Sequence, residues 1–167
     1  NQTHKKIMDI EINNEIEWRI ENYKKLCASY DSSKYFINYK DYFEKLYKKN
    51  WKKIFDLNLD IIKQVCDWLD INVEIVIESK LKVVGESTER LIEVCKKLDA
   101  DTYISGIGGK NYLVEELFEK NNINLQYQNY NPITYTQNLA ESFIPNLSII
   151  DLLSNVGLDS KKLFLPN

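Results

Sequence analysis

Several residue types that shape small proteins are scarce in this 167-residue chain. It has only five Gly and three Pro, and with 44% hydrophobic residues this composition excludes disordered and fibrous classes. His4 is the only histidine, which excludes a histidine-based catalytic triad and a multi-histidine metal site within the chain. The cysteines Cys27, Cys66 and Cys95 lie far apart with no CxxC pair, so we expect buried, reduced thiols. We expect no metal and no bound cofactor.

Long apolar runs and blocks of one charge are also missing. No run approaches the roughly 18 residues that span a bilayer, and the N-terminus has no signal pattern, so we expect a cytoplasmic protein without a membrane span. The 22 basic and 25 acidic residues are dispersed, which disfavours nucleic acid as a partner. Only Arg19 and Arg90 of those 22 basic residues are Arg. Each is therefore a candidate for a role that needs a planar guanidinium.

The hydrophobic periodicity predicts a mainly helical N-terminal half. Around Met8, Ile, Asp, Ile, Glu and Ile alternate over residues 7–12, which is the pattern of a half-buried strand. Apolar residues then recur three and four apart, which predicts helices over residues 16–29, 35–49 and 51–69. The length predicts that this half belongs to a single domain, residues 1–167.

The second half alternates short apolar runs with helical ones. Strands are predicted over residues 73–78, 102–105 and 123–127. Helices are predicted over residues 88–98, 111–120 and 149–155, the last capped by Ser148 and ended by Gly157. Single helices between strands favour a parallel sheet with three neighbouring strands. The predicted fold class is therefore α/β, with a Rossmann-like parallel sheet in the C-terminal half.

The one dense glycine cluster, residues 105–110, follows the second predicted strand. Ligands of open α/β sheets bind at this end of a strand, where backbone N–H groups and Lys110 would offer donors to an anion. The spacing matches neither a Walker loop nor a dinucleotide fingerprint. A turn that needs Gly only for positive φ therefore stays an alternative. The candidate ligands of an anion at this edge are Ser79, Arg90, Ser105, Gly106, Gly108, Gly109, Lys110 and Tyr112.

Arg90 lies in the first turn of a helix that Ser87 is predicted to cap. A cation there is electrostatically unfavourable unless it has an anionic partner. That partner is either a bound anion, reached together with Lys110, or a nearby Glu such as Glu86, Glu89 or Glu93. Both alternatives stay open.

Phenols and amides crowd the stretch between residues 127 and 155. They suit a polar ligand such as a sugar, and they equally suit a solvated loop. Tyr135 and Gln137 are the candidate ligand contacts in this stretch. Asp151, three residues after Ser148, is by its position a capping residue before it is a catalyst.

The order of several short segments resembles the WbqC-like protein family of bacterial O-antigen and polysaccharide gene clusters. The segments are Glu17-Trp18-Arg19; Glu78-Ser79-Lys80-Leu81; Ser87-Thr88-Glu89-Arg90-Leu91-Ile92; Ala100-Asp101-Thr102-Tyr103-Ile104-Ser105-Gly106; Tyr112-Leu113; Pro132, Tyr135 and Gln137; and residues 143–153 with Asn155 and Gly157. Members ordinarily begin with a Gln-Pro, aromatic-rich segment that nothing here matches, so we expect the C-terminal part of the family's domain. A family-typical His before the Pro is Asn131 here.

The resemblance implies a transferase of bacterial O-antigen, lipopolysaccharide or related surface-glycan biosynthesis, such as one that attaches glycine to an amino sugar. An attacking amine must be neutral, so a carboxylate, Asp151 or Glu89, is the candidate base. The expected partners are a nucleotide- or lipid-linked sugar and a glycine donor, and a homo-oligomer is left open. The alternative is a noncatalytic subunit that binds a nucleotide sugar or phosphate within the glycan machinery.

Overall fold

The computed structural model describes residues 5–138 and 140–163, and His4 therefore lies outside the described residues. The chain is a mixed α/β structure whose contacts divide it into two compact units. The helical unit comprises the described parts of residues 1–72 and 132–167, and the sheet unit comprises residues 73–131. None of the described helices is both long enough and apolar enough to cross a bilayer.

The regular elements of the described residues are six α-helices and two strands. They are α1 (Trp18–Tyr30), α2 (Ile37–Lys48), α3 (Ile54–Leu69), α4 (Ser87–Lys97), β1 (Thr102–Ser105), α5 (Glu115–Lys120), β2 (Asn124–Tyr127) and α6 (Ile149–Val156). Short 3-10 helices cover Ile7–Asp9, Glu78–Lys80, Ile107–Asn111 and Gly157–Leu163. The helices predicted from periodicity are thus confirmed, but α5 begins later than predicted because residues 107–111 form a 3-10 turn.

An aromatic stripe along α2 forms the core of the helical unit. Phe36, Tyr39, Phe43 and Leu46 are all buried, as their spacing of three and four predicts. The Trp51 indole N–H donates to the carbonyl of Leu46 over 2.8 Å, so this ring is buried with its polar atom satisfied. Burial of each such side chain contributes about 1.5–3 kcal/mol.

The α6 helix is set against this core by its capping residues and its apolar face. Leu153 is fully buried in the aromatic cluster. The side chain of Ser148 accepts a hydrogen bond from the amide of Ile150, and Gly157 ends the helix with φ +74°. Both predicted caps of α6 are therefore confirmed.

The strand predicted over residues 7–12 is wrong. Ile7–Asp9 is a 3-10 helix, and Glu11 forms one isolated antiparallel bridge with Lys53. The amide of Ile54 still donates to the carbonyl of Ile10 over 3.1 Å. The ladder stops there because the residues after Lys53 turn into α3.

The sheet of the second unit has two parallel strands. Thr102 pairs with Asn124 and Ser105 pairs with Tyr127, which confirms the predicted pairing of these two segments. Phe118 of α5 is fully buried and stacks against Tyr103, whose half-buried ring lies 5.5 Å away between centroids. Tyr103 is therefore only partly buried in the sheet unit.

The prediction of a strand over residues 73–78 is wrong. Residues 73–77 have no ladder partner among the described residues, and a 3-10 helix begins at Glu78. Val73 is 61% exposed. An apolar alternation favours a strand only where a partner edge is available, and the pattern itself does not supply one.

The three cysteines are free thiols, as predicted. Only Cys95 is fully buried, whereas Cys27 and Cys66 are half-buried. Burial raises the pKa of the Cys95 thiol, which favours its protonated form.

Candidate functional site

The glycines of the turn at residues 105–110 do not have the backbone conformation that a positive-φ turn requires. Gly106 has φ −63°, and neither Gly108 nor Gly109 is among the residues with positive φ. A Cβ on Gly106 or Gly108 would meet no atom within 4 Å, whereas a Cβ on Gly109 would collide with the side-chain oxygen of Ser105. Only Gly109 is thus required sterically, by the buried side chain of Ser105, and the positive-φ interpretation of this turn is wrong.

The surroundings of Lys110 are aromatic and acidic. Its ammonium lies 5.2 Å from the ring centroid of Tyr127, whose hydroxyl donates to Glu115 Oε1 over 2.9 Å. Glu115 and Glu116 occupy the first turn of α5. Carboxylates at a helix N-terminus compensate the dipole that would otherwise attract an anion. This arrangement weakens the predicted anion site around residues 105–110.

Arg90 forms a structural ion pair. Its guanidinium lies 2.5 Å from Glu78 Oε1 and donates to the carbonyls of Val83 and Gly85 over 3.2 and 3.4 Å. It makes no hydrogen bond or ion pair with described residues 105–110. These contacts favour the ion-pair alternative for Arg90 over an anion site shared with Lys110, because a carboxylate and two carbonyls already contact its guanidinium. The partner is Glu78, and not Glu86, Glu89 or Glu93.

Ser87 does not cap α4 as predicted. The capping position is Glu86, without a side-chain cap, and Ser87 is the first helical residue with φ +49°. Ser79, Glu89 and Tyr112 are exposed. Glu89 lines a groove of about 320 Å³ in the sheet unit.

Three of the predicted residues come together in the helical unit. Asp151 is only 6% exposed, and its Oδ2 accepts hydrogen bonds from the Tyr135 hydroxyl over 2.7 Å and from Gln137 Nε2 over 3.0 Å. Burial and the bond to Asp151 raise the pKa of Tyr135 to about 12. Burial, followed by the charge of Asp151, also raises the pKa of Tyr30. The Asp151 carboxylate is therefore solvated by neutral phenol and amide donors.

The amide of Gln137 also binds the loop across from it. Gln137 Nε2 donates to the carbonyl of Ile144 over 2.9 Å, and Gln137 Oε1 accepts from the amide of Ile144 over 2.7 Å. One turn further along α6 than Asp151, Asn155 Oδ1 accepts from the backbone amide of Asn138 over 2.8 Å. Asp151 and Asn155 thus fasten one extended segment to the helix.

The segment that α6 holds has two faces. Ile133, Tyr135 and Gln137 are half-buried, whereas Thr136 and Asn138 are exposed. This period of two is that of extended backbone. Tyr135 and Gln137 therefore point toward Asp151, and Thr136 and Asn138 point away from it.

Thr136 and Asn138 line a cleft of about 510 Å³, which we call the polar cleft. Its other lining residues are Ser32, Lys34, Tyr35, Asn155, Val156 and Asp159. None of these eight residues is among the predicted site residues. The available signals are the alternation over residues 133–138 and the four-residue spacing of Asp151 and Asn155.

Tyr35 is a rigid wall of the polar cleft. Its amide donates to the carbonyl of Ser154 over 3.0 Å. Its ring packs on Gly157, where an added Cβ would lie 2.8 Å from the ring. The positive φ and the missing side chain of Gly157 together allow this close approach.

Metal ligation has no support in the described ranges, where no three His, Cys, Asp or Glu side chains are grouped to hold an ion. The polar cleft instead offers hydroxyls, amides, an ammonium and an aromatic ring. These groups are able to hydrogen-bond the hydroxyls of a small molecule.

The chain belongs to the WbqC-like protein family, whose model matches residues 1–163. It is also similar to an uncharacterized protein of Mycobacterium tuberculosis, with 25% identity over 158 residues, which are 94% of this chain and 68% of that protein. No solved structure matches the chain.

Proposed function

We propose that the protein is a cytoplasmic transferase of bacterial O-antigen, lipopolysaccharide or related surface-glycan biosynthesis, which attaches an acyl group such as glycine to an amino sugar. We propose further that the sugar, linked to a nucleotide or a lipid, binds in the polar cleft. The observation that carries the proposal is the lining of this 510 Å³ cleft by hydroxyls, amides and the ring of Tyr35. A cleft of this size and polarity suits a monosaccharide.

Asp151 is the proposed base in this reaction. The amine nitrogen of the sugar would attack the acyl carbon, the bond from that carbon to its carrier would break, and a carboxylate would take the proton from nitrogen. Of the two predicted carboxylates, Asp151 is the one in the same unit as the polar cleft, on the opposite side of residues 135–138 from Thr136 and Asn138. Its role as a base therefore requires this segment to move and bring the carboxylate within reach of the amine. Tyr135 and Gln137 would orient it, and Tyr135, with a pKa of about 12, would stay protonated.

Two further features are proposed for the sheet unit, a Rossmann-like fold and a phosphate site. Its Rossmann-like character is supported by β1 and β2, which are parallel and joined through α5. A phosphate site on the turn of residues 105–110 would use Lys110 and the exposed Gly106 and Gly108, without Arg90. A titration with inorganic phosphate, monitored through the NMR signals of the backbone amides of these two glycines, tests this site.

A noncatalytic sugar-binding subunit is the second candidate function. The burial of Asp151 favours this function, because the carboxylate is nearly inaccessible to solvent and its Oδ2 already accepts two hydrogen bonds. In this alternative Asp151 only fastens residues 135–138 to α6, and the polar cleft binds a ligand without a base.

Calorimetric titration with nucleotide sugars, followed by a product assay with glycine donors, separates the two functions. Binding with turnover supports the transferase, and binding without turnover supports the subunit. Asp151→Asn keeps an oxygen acceptor but removes the base, so in a transferase it abolishes turnover while sugar binding persists. Asp60→Asn is the matched control, because Asp60 Oδ2 also accepts from a half-buried tyrosine, Tyr42, over 2.9 Å but does not line the polar cleft.

A further inference from the structure

Some charged side chains at the polar cleft form ion pairs, and others do not. Asp159 lies 2.7 Å from Lys162, and Asp31, three residues before Lys34, lies 2.7 Å from Lys40. Lys34 forms no ion pair with any described residue. Lys34 therefore lines the cleft as an ammonium that no carboxylate of the described residues contacts, and Asp159 lines it as a carboxylate that Lys162 contacts.

The position of this ammonium is defined by the wall of the cleft. The Lys34 Nζ lies 4.8 Å from the ring centroid of Tyr35, and interaction with the Tyr35 side chain raises the pKa of Lys34. Tyr35 is itself held by Gly157 and by the carbonyl of Ser154. Lys34 is thus an exposed lysine whose ammonium lies beside the ring of Tyr35.

Neutral donors flank Lys34 in the cleft. The Ser32 hydroxyl accepts from Asn138 Nδ2 over 2.8 Å, which leaves its own hydrogen free to donate. Thr136 has no hydrogen-bond partner among the described residues, so its hydroxyl is also available. The Asn138 side-chain oxygen remains as an acceptor for a ligand hydroxyl.

We propose that Lys34, with the hydroxyls of Ser32 and Thr136, forms an anion subsite, so that the ligand of the polar cleft is a hydroxylated molecule with an anionic oxygen group. The inference rests on the proposed sugar-binding role of the same cleft and names the charge of its ligand. A phosphate and a carboxylate share the required chemistry, because both bring acceptor oxygens with negative charge.

The test is an NMR and calorimetric titration of the full chain at constant ionic strength with glucose, glucose 1-phosphate, glucuronate and inorganic phosphate. We expect glucose 1-phosphate or glucuronate to bind about tenfold or more tightly than glucose, which is the usual gain from a charge-assisted hydrogen bond. The comparison of these two ligands distinguishes a phosphate from a carboxylate as the source of the charge.

Variants at Lys34 identify the subsite. Lys34→Gln is expected to remove the preference for the charged sugar, and Lys34→Arg is expected to retain most of it. Lys63→Gln is the control, because Lys63 is an exposed lysine of α3 that does not line the cleft. An unchanged melting temperature in all three variants shows that the effect is on binding and not on folding.

The outcomes separate the two proposals. Equal affinity for glucose and glucose 1-phosphate, or an unchanged preference in Lys34→Gln, overturns the anion subsite and leaves the sugar cleft standing. Lys34-dependent binding of inorganic phosphate without binding of any sugar supports the subsite and overturns the sugar cleft. No binding of any of the four probes overturns both.

Discussion

Tyr135 donates its hydroxyl hydrogen to Asp151 Oδ2 over 2.7 Å, and this bond joins the long loop before α6 to the first turn of that helix. The carboxylate is almost fully buried, so it depends on such donors in place of water. The positions of Thr136 and Asn138 in the polar cleft follow from this bond, since they alternate with the residues that Asp151 holds.

Tyr135→Phe is expected to lower the free energy of unfolding by about 1.5–3 kcal/mol, because the buried carboxylate loses a charge-assisted hydrogen bond. Urea denaturation measures the change. Tyr127→Phe is the matched control, since its hydroxyl also donates to a carboxylate, Glu115, but at an exposed site, and a much smaller loss is expected there. Equal losses in the two variants would contradict the structural importance of the bond to Asp151.

Alkaline pH is expected to destabilise the protein partly through Tyr135. Its pKa rises from an ordinary 10.0 to about 12 in the folded chain, so between these values the unfolded state loses the proton while the folded state keeps it. The stability linked to this group is complete below pH 10.0 and is lost as the pH rises toward about 12. Urea denaturation at a series of pH values should therefore show a shallower alkaline decline in Tyr135→Phe than in the wild type. Parallel curves for the two proteins would disprove the linkage.

Gly157→Ala is expected to destabilise the helical unit by about 1–3 kcal/mol. The substitution places a Cβ at positive φ and against the ring of Tyr35. Thermal denaturation measures the effect, and Gly106→Ala is the control because its φ is −63° and no atom lies near the added carbon. The control should be neutral or slightly stabilising, by at most about 1 kcal/mol. A Gly157→Ala protein as stable as this control would contradict the close packing of Tyr35.

The Arg90–Glu78 pair is expected to have a coupling free energy of about 0.2–1 kcal/mol, since both side chains are about two-fifths exposed. A double-mutant cycle with Arg90→Lys and Glu78→Gln measures it. Arg90→Lys should lower the melting temperature slightly, because an ammonium cannot reach Glu78 and two carbonyls with one planar fork. The affinity of the chain for inorganic phosphate should not change in this variant. A loss of phosphate affinity would restore the anion-binding interpretation of Arg90.

Much of the helical structure was predictable because it depends on local spacing. The apolar period along α2 and α3, and the Ser148 and Gly157 caps of α6, need no information beyond a few neighbouring residues. The strands were less predictable, because a strand needs a partner that its own sequence does not specify. Residues 102–105 pair with residues 124–127, whereas residues 7–12 and 73–77 have a similar pattern and form no ladder.

The sequence by itself determined the helices, the family and the chemical character of the residues after Tyr130. Only the tertiary structure decided what those residues do. In the folded chain Arg90 forms an ion pair with Glu78, and Asp151 accepts hydrogen bonds from Tyr135 and Gln137. The tertiary structure also brought Lys34, more than 100 residues away in sequence from Thr136, into the same cleft. The physical reason is that hydrogen bonds and ion pairs between distant side chains depend on which elements the hydrophobic cores bring together, and local periodicity carries no record of that choice.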